Sequence, residues 1–497
     1  MSSREELKMM EQIKMMEEKE RQKRRREEKN ALKEQRKKMA RAPWIGRMQD
    51  ELPECITFRP TEEEFNGDPM EYIKSISHLA APFGACKIIP PDSFRPECVP
   101  NLRSVQTKLQ SLLHRVDDFE CGGVAFQTSH RMGAKGYSVG EYQKIGEKRF
   151  KDLFGDLEHE PPLRLIEQEF WHTMSTSQAF SVQYGSDVEG TACIDSFGPW
   201  DLRSIASKSL LGLLDNHIAG VTAPMMYVGM LFAHFCWHYE DNALYSINYN
   251  HGGSPKVWYV SPAEHIEGLE ATVQHAFRNH PDRYHPMMCD AAKLLMRKTV
   301  MCSPSVLMAS GVPVYRAVQR EREFIVTMPR GYHSGFNSGN HVGEAVNFAL
   351  SCWVPYGFLS MQRYRTTGSM SCLDMERMIC RAASLCSEEP TAALLRQGKR
   401  VRGSDTESIS LLAKGLSLLM TWQERLVAWA GSKGYEVRGM PPSSSEAALD
   451  RQLCGCCNHI CHMVYLQVEG NTNENRRMCA EHGEYLGEGR REVLVRY

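Results

Sequence analysis

Residues 229–259 read GMLFAHFCWHYEDNALYSINYNHGGSPKVWY, and the fold of this 497-residue chain turns on how they are taken. His238 and Glu240 stand one residue apart, a spacing that points both side chains to the same face of a β-strand. The residues before them (Met230, Leu231, Phe232, Ala233, Phe235, Cys236 and Trp237) are apolar enough for a strand buried on both faces. A histidine and a carboxylate at the end of such a strand make two corners of a 2-His-1-carboxylate triad, whose open positions suit Fe(II). The third corner is expected from a strand far along the chain. His333 meets it within FIVTMPRGYHSGFNSGNHVGEAVNF (324–348), where Phe324 to Met328 reads as a strand and Arg330–Gly331 as a break. A lone HxE also describes a satisfied core histidine beside a surface carboxylate, so the surroundings decide between the two.

Those surroundings closely resemble the JmjC domain of histone lysine demethylases. FCWHYED (235–241), YSINY (245–249), GGSPKVWY (252–259), SPSVL (303–307), GYHSGFNSG (331–339) and EAVNF (344–348) stand in that family's order and at about its spacing. The resemblance covers roughly 53–356 and continues in degenerate form to the C-terminus. It implies a mostly β fold with added helices, of α+β class: a double-stranded β-helix, or jelly-roll barrel, with a metal in its mouth. Strand-like stretches such as Lys256 to Val260 and Phe324 to Thr327, alternating with Gly- and Pro-rich turns, agree with a barrel over 181–356.

Length allows two to four domains and a sizeable core. The formal net charge is −1, unevenly spread: residues 1–41 carry an excess of six positive charges, which leaves the remainder mildly acidic. No apolar run is long enough to span a membrane, and the N-terminus has no signal-peptide pattern. Seventeen cysteines in no small-scaffold framework point to a reducing compartment.

The first 43 residues alternate blocks of Glu with blocks of Lys and Arg, including RQKRRREEK at 21–29. They read as a solvated, charge-paired helix or a disordered tail, whose basic block suits nuclear import or contact with DNA phosphates. Residues 52–100 resemble the JmjN segment, a structural support of the family's barrel. Thr61 and Glu64 there form a capping-box pattern, and Asp68-Pro69 opens a second helix. The connecting segment 101–180 is expected to be helical over Asn101 to Val116 and again over Val139 to Phe154. A helical region at 357–439 includes Thr406 to Ala430, with Leu411, Leu412, Leu416, Leu419 and Trp422 on one face and Gly431 at its end.

After the linker Pro441-Pro442-Ser443-Ser444-Ser445, the last segment (440–497) carries Cys454-x2-Cys457 and Cys479-x2-His482, with Cys461 between the pairs. Two ligand pairs about twenty residues apart are a tetrahedral zinc pattern. The segment resembles the finger that follows JmjC in the branch acting on lysine 4 of histone H3. It departs from it because no cysteine follows Cys479.

The family resemblance also implies the remaining site residues. Iron is held by His238, Glu240 and His333, leaving positions for 2-oxoglutarate and dioxygen. Lys256 and Tyr184 (in VQYGSDVEG) bind the far carboxylate of 2-oxoglutarate, Asn248 bonds its oxo-acid end, and Phe235 packs on it. The substrate lysine enters past Gly220, Tyr227 and Asn347, and Lys298 matches a family lysine near the oxygen site. The implied reaction is removal of methyl groups from a histone H3 tail in nucleosomes, by methyl hydroxylation and formaldehyde release, in the nucleus.

Lysine 4 is the expected target. The lysine-9/lysine-36 branch places a structural zinc beside the barrel, and Ala291 and Arg297 stand here in that neighbourhood. Ala345 in EAVNF, where the other branch often has Ser, and the C-terminal finger lean the same way. The alternatives are a lysine-9/lysine-36 demethylase, a chromatin-binding JmjC protein without turnover, and a hydroxylase of non-histone side chains. The complete ligand set argues against loss of turnover, and the JmjN-like segment against the hydroxylase.

Overall fold

The computed structural model describes residues 52–96, 105–155, 160–192, 198–279, 290–387 and 410–439, apart from positions 178, 215, 433 and 435, and three short strands after residue 463. The basic tail and the expected zinc ligands Cys454, Cys457, Cys461, Cys479 and His482 lie outside the described residues.

The strands are β1 Thr57–Phe58, β2 Ala85–Ile88, β3 Val105–Val116, β4 Ala125–Tyr137, β5 Ser181–Glu189, β6 Met225–Gly229 and β7 His234–His238. They continue with β8 Tyr245–Gly253, β9 Lys256–Ser261, β10 Val300–Cys302, β11 Tyr315–Gln319, β12 Phe324–Thr327, β13 Tyr332–Asn337 and β14 His341–Phe348. Two sheets result. The major one runs β1-β2-β12-β8-β14-β6-β5-β3-β4-β10, and the minor one runs β11-β9-β13-β7. Every pairing in the minor sheet is antiparallel. This is the jelly-roll barrel expected from the motifs, with the triad strands β7 and β13 side by side at one edge of the minor sheet.

The segment before residue 90 extends the barrel rather than standing apart. Thr61 caps its first helix with a reciprocal Glu64 bond, and Asp68 caps Pro69–Ala80, as the sequence pattern indicates. Ile73 and Ile76 of that second helix are buried. β2 pairs antiparallel with β12, and Phe65 stacks on Trp200 with ring centres 4.6 Å apart. On the other side of the barrel, Phe170 of the helix Leu163–Thr176 stacks on Phe336 of β13 at 4.1 Å.

One expectation is overturned. The tract Asn101 to Val116, read as helical, is strand from Val105 onward, and 125–137 pairs with it as a second long strand. The segment 101–180 is therefore not simply a helical connector, although Val139–Phe154 is a helix. Leu109, Leu112, Leu113 and Val116 mimic helical spacing because the β3–β4 ladder shifts register twice, between Gln106 and Lys108 and between Leu112 and His114. Each shift swaps the outward face, so the period-two alternation that marks a strand is erased.

Beyond the barrel the chain is helical at Val354–Thr367, Met375–Ser387 and Gly415–Ser432. The expected helix over 406–430 is seen from residue 410, with a turn at Lys414. Leu412 and Leu419 are buried, so its apolar face packs inward as predicted. The strands Glu436–Gly439, Val464–Glu469, Arg476–Met478 and Arg490–Val495 form a separate small sheet. Among the described residues no helix is long and apolar enough to cross a membrane.

Candidate metal centre and pocket

His238 is the last residue of β7 and lies in register with His333 on β13, their ring centres 4.4 Å apart. Glu240 follows where the strand gives way to a short 3-10 turn at Asp241–Ala243. His333 Nε2 is 3.4 Å from Glu240 Oε1, and one ligand atom from each of the three residues lies within 4.8 Å of the others. Among the described residues this is the one such group of three metal-ligating side chains.

The main chain fixes both rings. His238 Nδ1 is 2.6 Å from the Cys236 carbonyl oxygen, and His333 Nδ1 is 3.0 Å from that of Gly331. Each Nδ1–H donates to a carbonyl, which leaves the Nε2 lone pair for a metal. Burial, the His333 ring and the Lys298 ammonium hold His238 well below the usual histidine range. Burial pushes Glu240 upward, but the adjoining His333 and His238 rings and the Lys298 ammonium hold it well below the usual carboxylate range. Neutral imidazole and ionised carboxylate are the states in which these groups bind a divalent cation. The donor set therefore fits Fe(II).

A cavity of about 480 Å³ opens from the triad, and all twelve expected iron, 2-oxoglutarate and substrate residues line it. Lys256 opens β9 and is 6 % exposed, with no acidic partner among the described residues. Its Nζ lies 5.7, 5.8 and 5.9 Å from the ring centres of Tyr227, Phe235 and Trp258. Burial pushes its ammonium down to about 7. Tyr184 is bonded to Asn337, and burial raises its hydroxyl far above neutrality, so it stays a neutral donor. Asn248 donates through Nδ2 to Ser246 Oγ at 3.0 Å, and Ser246 Oγ lies 2.7 Å from Thr327 Oγ1. An unpaired cation, a neutral hydroxyl and an amide between aromatic walls fit the carboxylates of a small acid.

At the opposite rim, Gly220 has φ +79°, and its carbonyl accepts from Asn347 N at 2.9 Å. Lys298 Nζ donates to Asp241 Oδ2 at 3.1 Å. Sequence reasoning missed two rim residues. Asp187 bonds the Tyr227 hydroxyl and pairs with Lys108 of β3, and both line the cavity. Asp187 lies inside the quoted VQYGSDVEG but bears no chemistry-specific spacing, and Lys108 was hidden by the helical reading of β3. His234, also in the lining, is a core histidine that burial pushes down to about 4.

Comparison with known proteins follows the same division of the chain. The family description "JmjC domain, hydroxylase" matches residues 225–348, and "jmjN domain" matches 56–90. Lysine-specific demethylase JMJ706 of Oryza sativa subsp. japonica is 33% identical over 464 residues, which are 90% of this chain and 51% of that protein. Lysine-specific demethylase 5B of Gallus gallus is 33% identical over 290 residues, 53% of this chain and 18% of that protein. Lysine-specific demethylase 5D of Homo sapiens is 33% identical over 273 residues, 50% of this chain and 17% of it. The chain thus spans about half the length of the rice relative and less of the other two. With a jmjN segment bound to the sheet edge and a JmjC barrel carrying the triad, the chain belongs to the JmjN/JmjC-domain proteins.

Proposed function

We propose that this chain is an Fe(II)- and 2-oxoglutarate-dependent histone lysine demethylase. The observation that carries the reading is the convergence, in one cavity, of two histidines and a carboxylate beside a buried lysine that lacks an acid partner among the described residues. The jmjN and JmjC matches and the names of the demethylase relatives support it.

In this reading His238, Glu240 and His333 hold the iron, which when bound supplies dioxygen activation coupled to decarboxylation of the oxo acid. Lys256 and Tyr184 grip the far carboxylate, and Asn248 bonds the oxo-acid end. Phe235 and Trp258 keep water away from it, which strengthens the charged contacts. Gly220, Tyr227, Ala345 and Asn347 line the approach of the methylated side chain, with Lys298 held at the rim by Asp241. Tyr227 and the Gly220 carbonyl offer oxygens to a methylammonium, a polar surround rather than an aromatic cage.

The proposed substrate is lysine 4 of the histone H3 tail. Ala345, the C-terminal Cys/His pattern with its proposed zinc, and the similarity to demethylases 5B and 5D support that choice. A nuclear location and DNA contact through the basic first 43 residues belong to the same proposal. The test is incubation with Fe(II), 2-oxoglutarate and a panel of methylated H3 peptides, followed by mass spectrometry for stepwise loss of methyl mass. Turnover at lysine 9 or 36 instead of 4 would overturn the choice of residue. No turnover on any peptide with iron bound would overturn the reaction.

A further inference from the structure

A second cavity, of about 300 Å³, backs onto the strands that carry the triad. Tyr239 lines it, and Tyr239 stands between His238 and Glu240, so the backbone sends its ring away from the metal side. Its ring packs edge-on against Tyr332, the residue before His333, with centres 5.1 Å apart. Two arginines, Arg330 and Arg363, share the lining with Leu359, Ser360 and Gln362.

The charges in this cavity do not balance. Arg363 donates through Nη2 to Glu270 Oε1 at 2.5 Å, and the Tyr332 hydroxyl donates to the same oxygen at 2.8 Å. The Arg363 Nε–H is buried with no acceptor among the described residues. Arg330 has no ion-pair or hydrogen-bond partner among the described residues. Of the two carboxylates that act on Tyr239, Glu270 is bonded to Arg363, and Asp241 is held by Lys298. The Arg330 guanidinium is left without a counter-ion among the described residues of this cavity, beside an Arg363 that also lines it.

The backbone adds an independent sign. Met328 to Gly331 form a turn closed by Gly331 N donating to the Met328 carbonyl at 2.9 Å, with Pro329 second and Arg330 third. Arg330 sits at φ +63°, the left-handed third position of a type II turn, where glycine is favoured and a long side chain is strained. Glycine is tolerated sterically there, yet an arginine occupies the position and lines the cavity.

We propose that this cavity is an oxyanion-binding pocket, taking a carboxylate or phosphate group between Arg330 and Arg363, with the carbon skeleton of the ligand against Leu359 and Tyr239. Guanidinium N–H groups match the oxygens of both anions, and the half-exposed Leu359 gives the apolar part a surface.

The test titrates the full chain with inorganic phosphate, followed by 31P line broadening, and separately with acetate, followed by saturation-transfer NMR. The decisive variant is Arg330→Gly, which removes the guanidinium while relieving the left-handed strain, so the melting temperature should hold or rise. Binding should weaken about tenfold or more in it. It should be unchanged in Arg131→Gln, a charge-matched change on the β3–β4 hairpin. Loss of phosphate binding alone identifies a phosphate-bearing ligand, loss of acetate binding alone a carboxylate, and loss of both a general oxyanion site. No binding of either anion by the wild type, or binding unaltered in Arg330→Gly, overturns the proposal.

Discussion

Replacing Lys256 by methionine puts an apolar chain of similar length where the structure buries an ammonium. Burial pushes that ammonium from its ordinary 10.5 down to about 7, which corresponds to about 5 kcal/mol of disfavoured charge. Because the folded value lies below the unfolded one, between about pH 7 and 10.5 the unfolded chain binds a proton that the folded chain lacks. Wild-type stability should therefore rise with pH across that window, and the penalty should be fully present below it. Methionine has no such dependence. Lys256→Met should be the more stable protein by up to about 5 kcal/mol below pH 7, and the gap should close by about 1.4 kcal/mol per pH unit above it. Urea unfolding of both metal-free proteins at several pH values measures the gap, and the difference cancels other titrating groups. The same variant should lose 2-oxoglutarate affinity by about thirtyfold or more, since leaving a buried carboxylate without its cation costs about 2–5 kcal/mol. A stability gap that does not change with pH would refute the reasoning, because the ammonium would then be charged and satisfied in the folded chain.

Three further outcomes are expected. His238→Ala should abolish turnover and lower bound iron, while the urea midpoint stays near wild type; retained turnover would move the metal site elsewhere. Gly335→Ala should destabilise the barrel by about 1–3 kcal/mol, because an added Cβ would sit 2.1 Å from the Val257 carbonyl oxygen and 2.7 Å from the Phe235 ring. A wild-type urea midpoint in that variant would show that β13 can shift freely. The chain should also bind one zinc through Cys454, Cys457, Cys479 and His482, lost in Cys454→Ser without loss of iron. Metal analysis showing no zinc in the wild type would make those cysteines ordinary thiols.

Two ligands of the candidate metal centre were legible because HxE is local, whereas His333 stands in a motif far along the chain and meets them only through the pairing of β13 with β7. HxE places two ligands by strand geometry, and the flanking apolar run buries them. The caps of the first two helices were equally readable, since Thr61–Glu64 and Asp68–Pro69 act over three residues or fewer. The long hairpin was not, because its register shifts at 106–108 and 112–114 are set by partner strands rather than by its own pattern. Lys108 and Asp187 were lost with it, their meeting at the pocket rim being a product of β3 pairing with β5. The second cavity was invisible for a related reason. Arg330 and Arg363 come from a turn and a helix, and no spacing in the chain brings them together.

The pairing of β2 with β12 also bears on how the protein is made. Ala85–Ile88 leaves the ribosome about 240 residues before Phe324–Thr327, the strand it joins in the ladder. Until then one side of that early strand has no permanent neighbour in the major sheet, and its unpaired amides remain open to improper association. Contacts of such long sequence separation slow folding, because a large loop must close before they form. Closure of this part of the major sheet therefore waits until residue 327 has been made. A nascent chain halted before residue 324 would leave the β12 side of Ala85–Ile88 unpaired, an open strand edge for chaperones to shield.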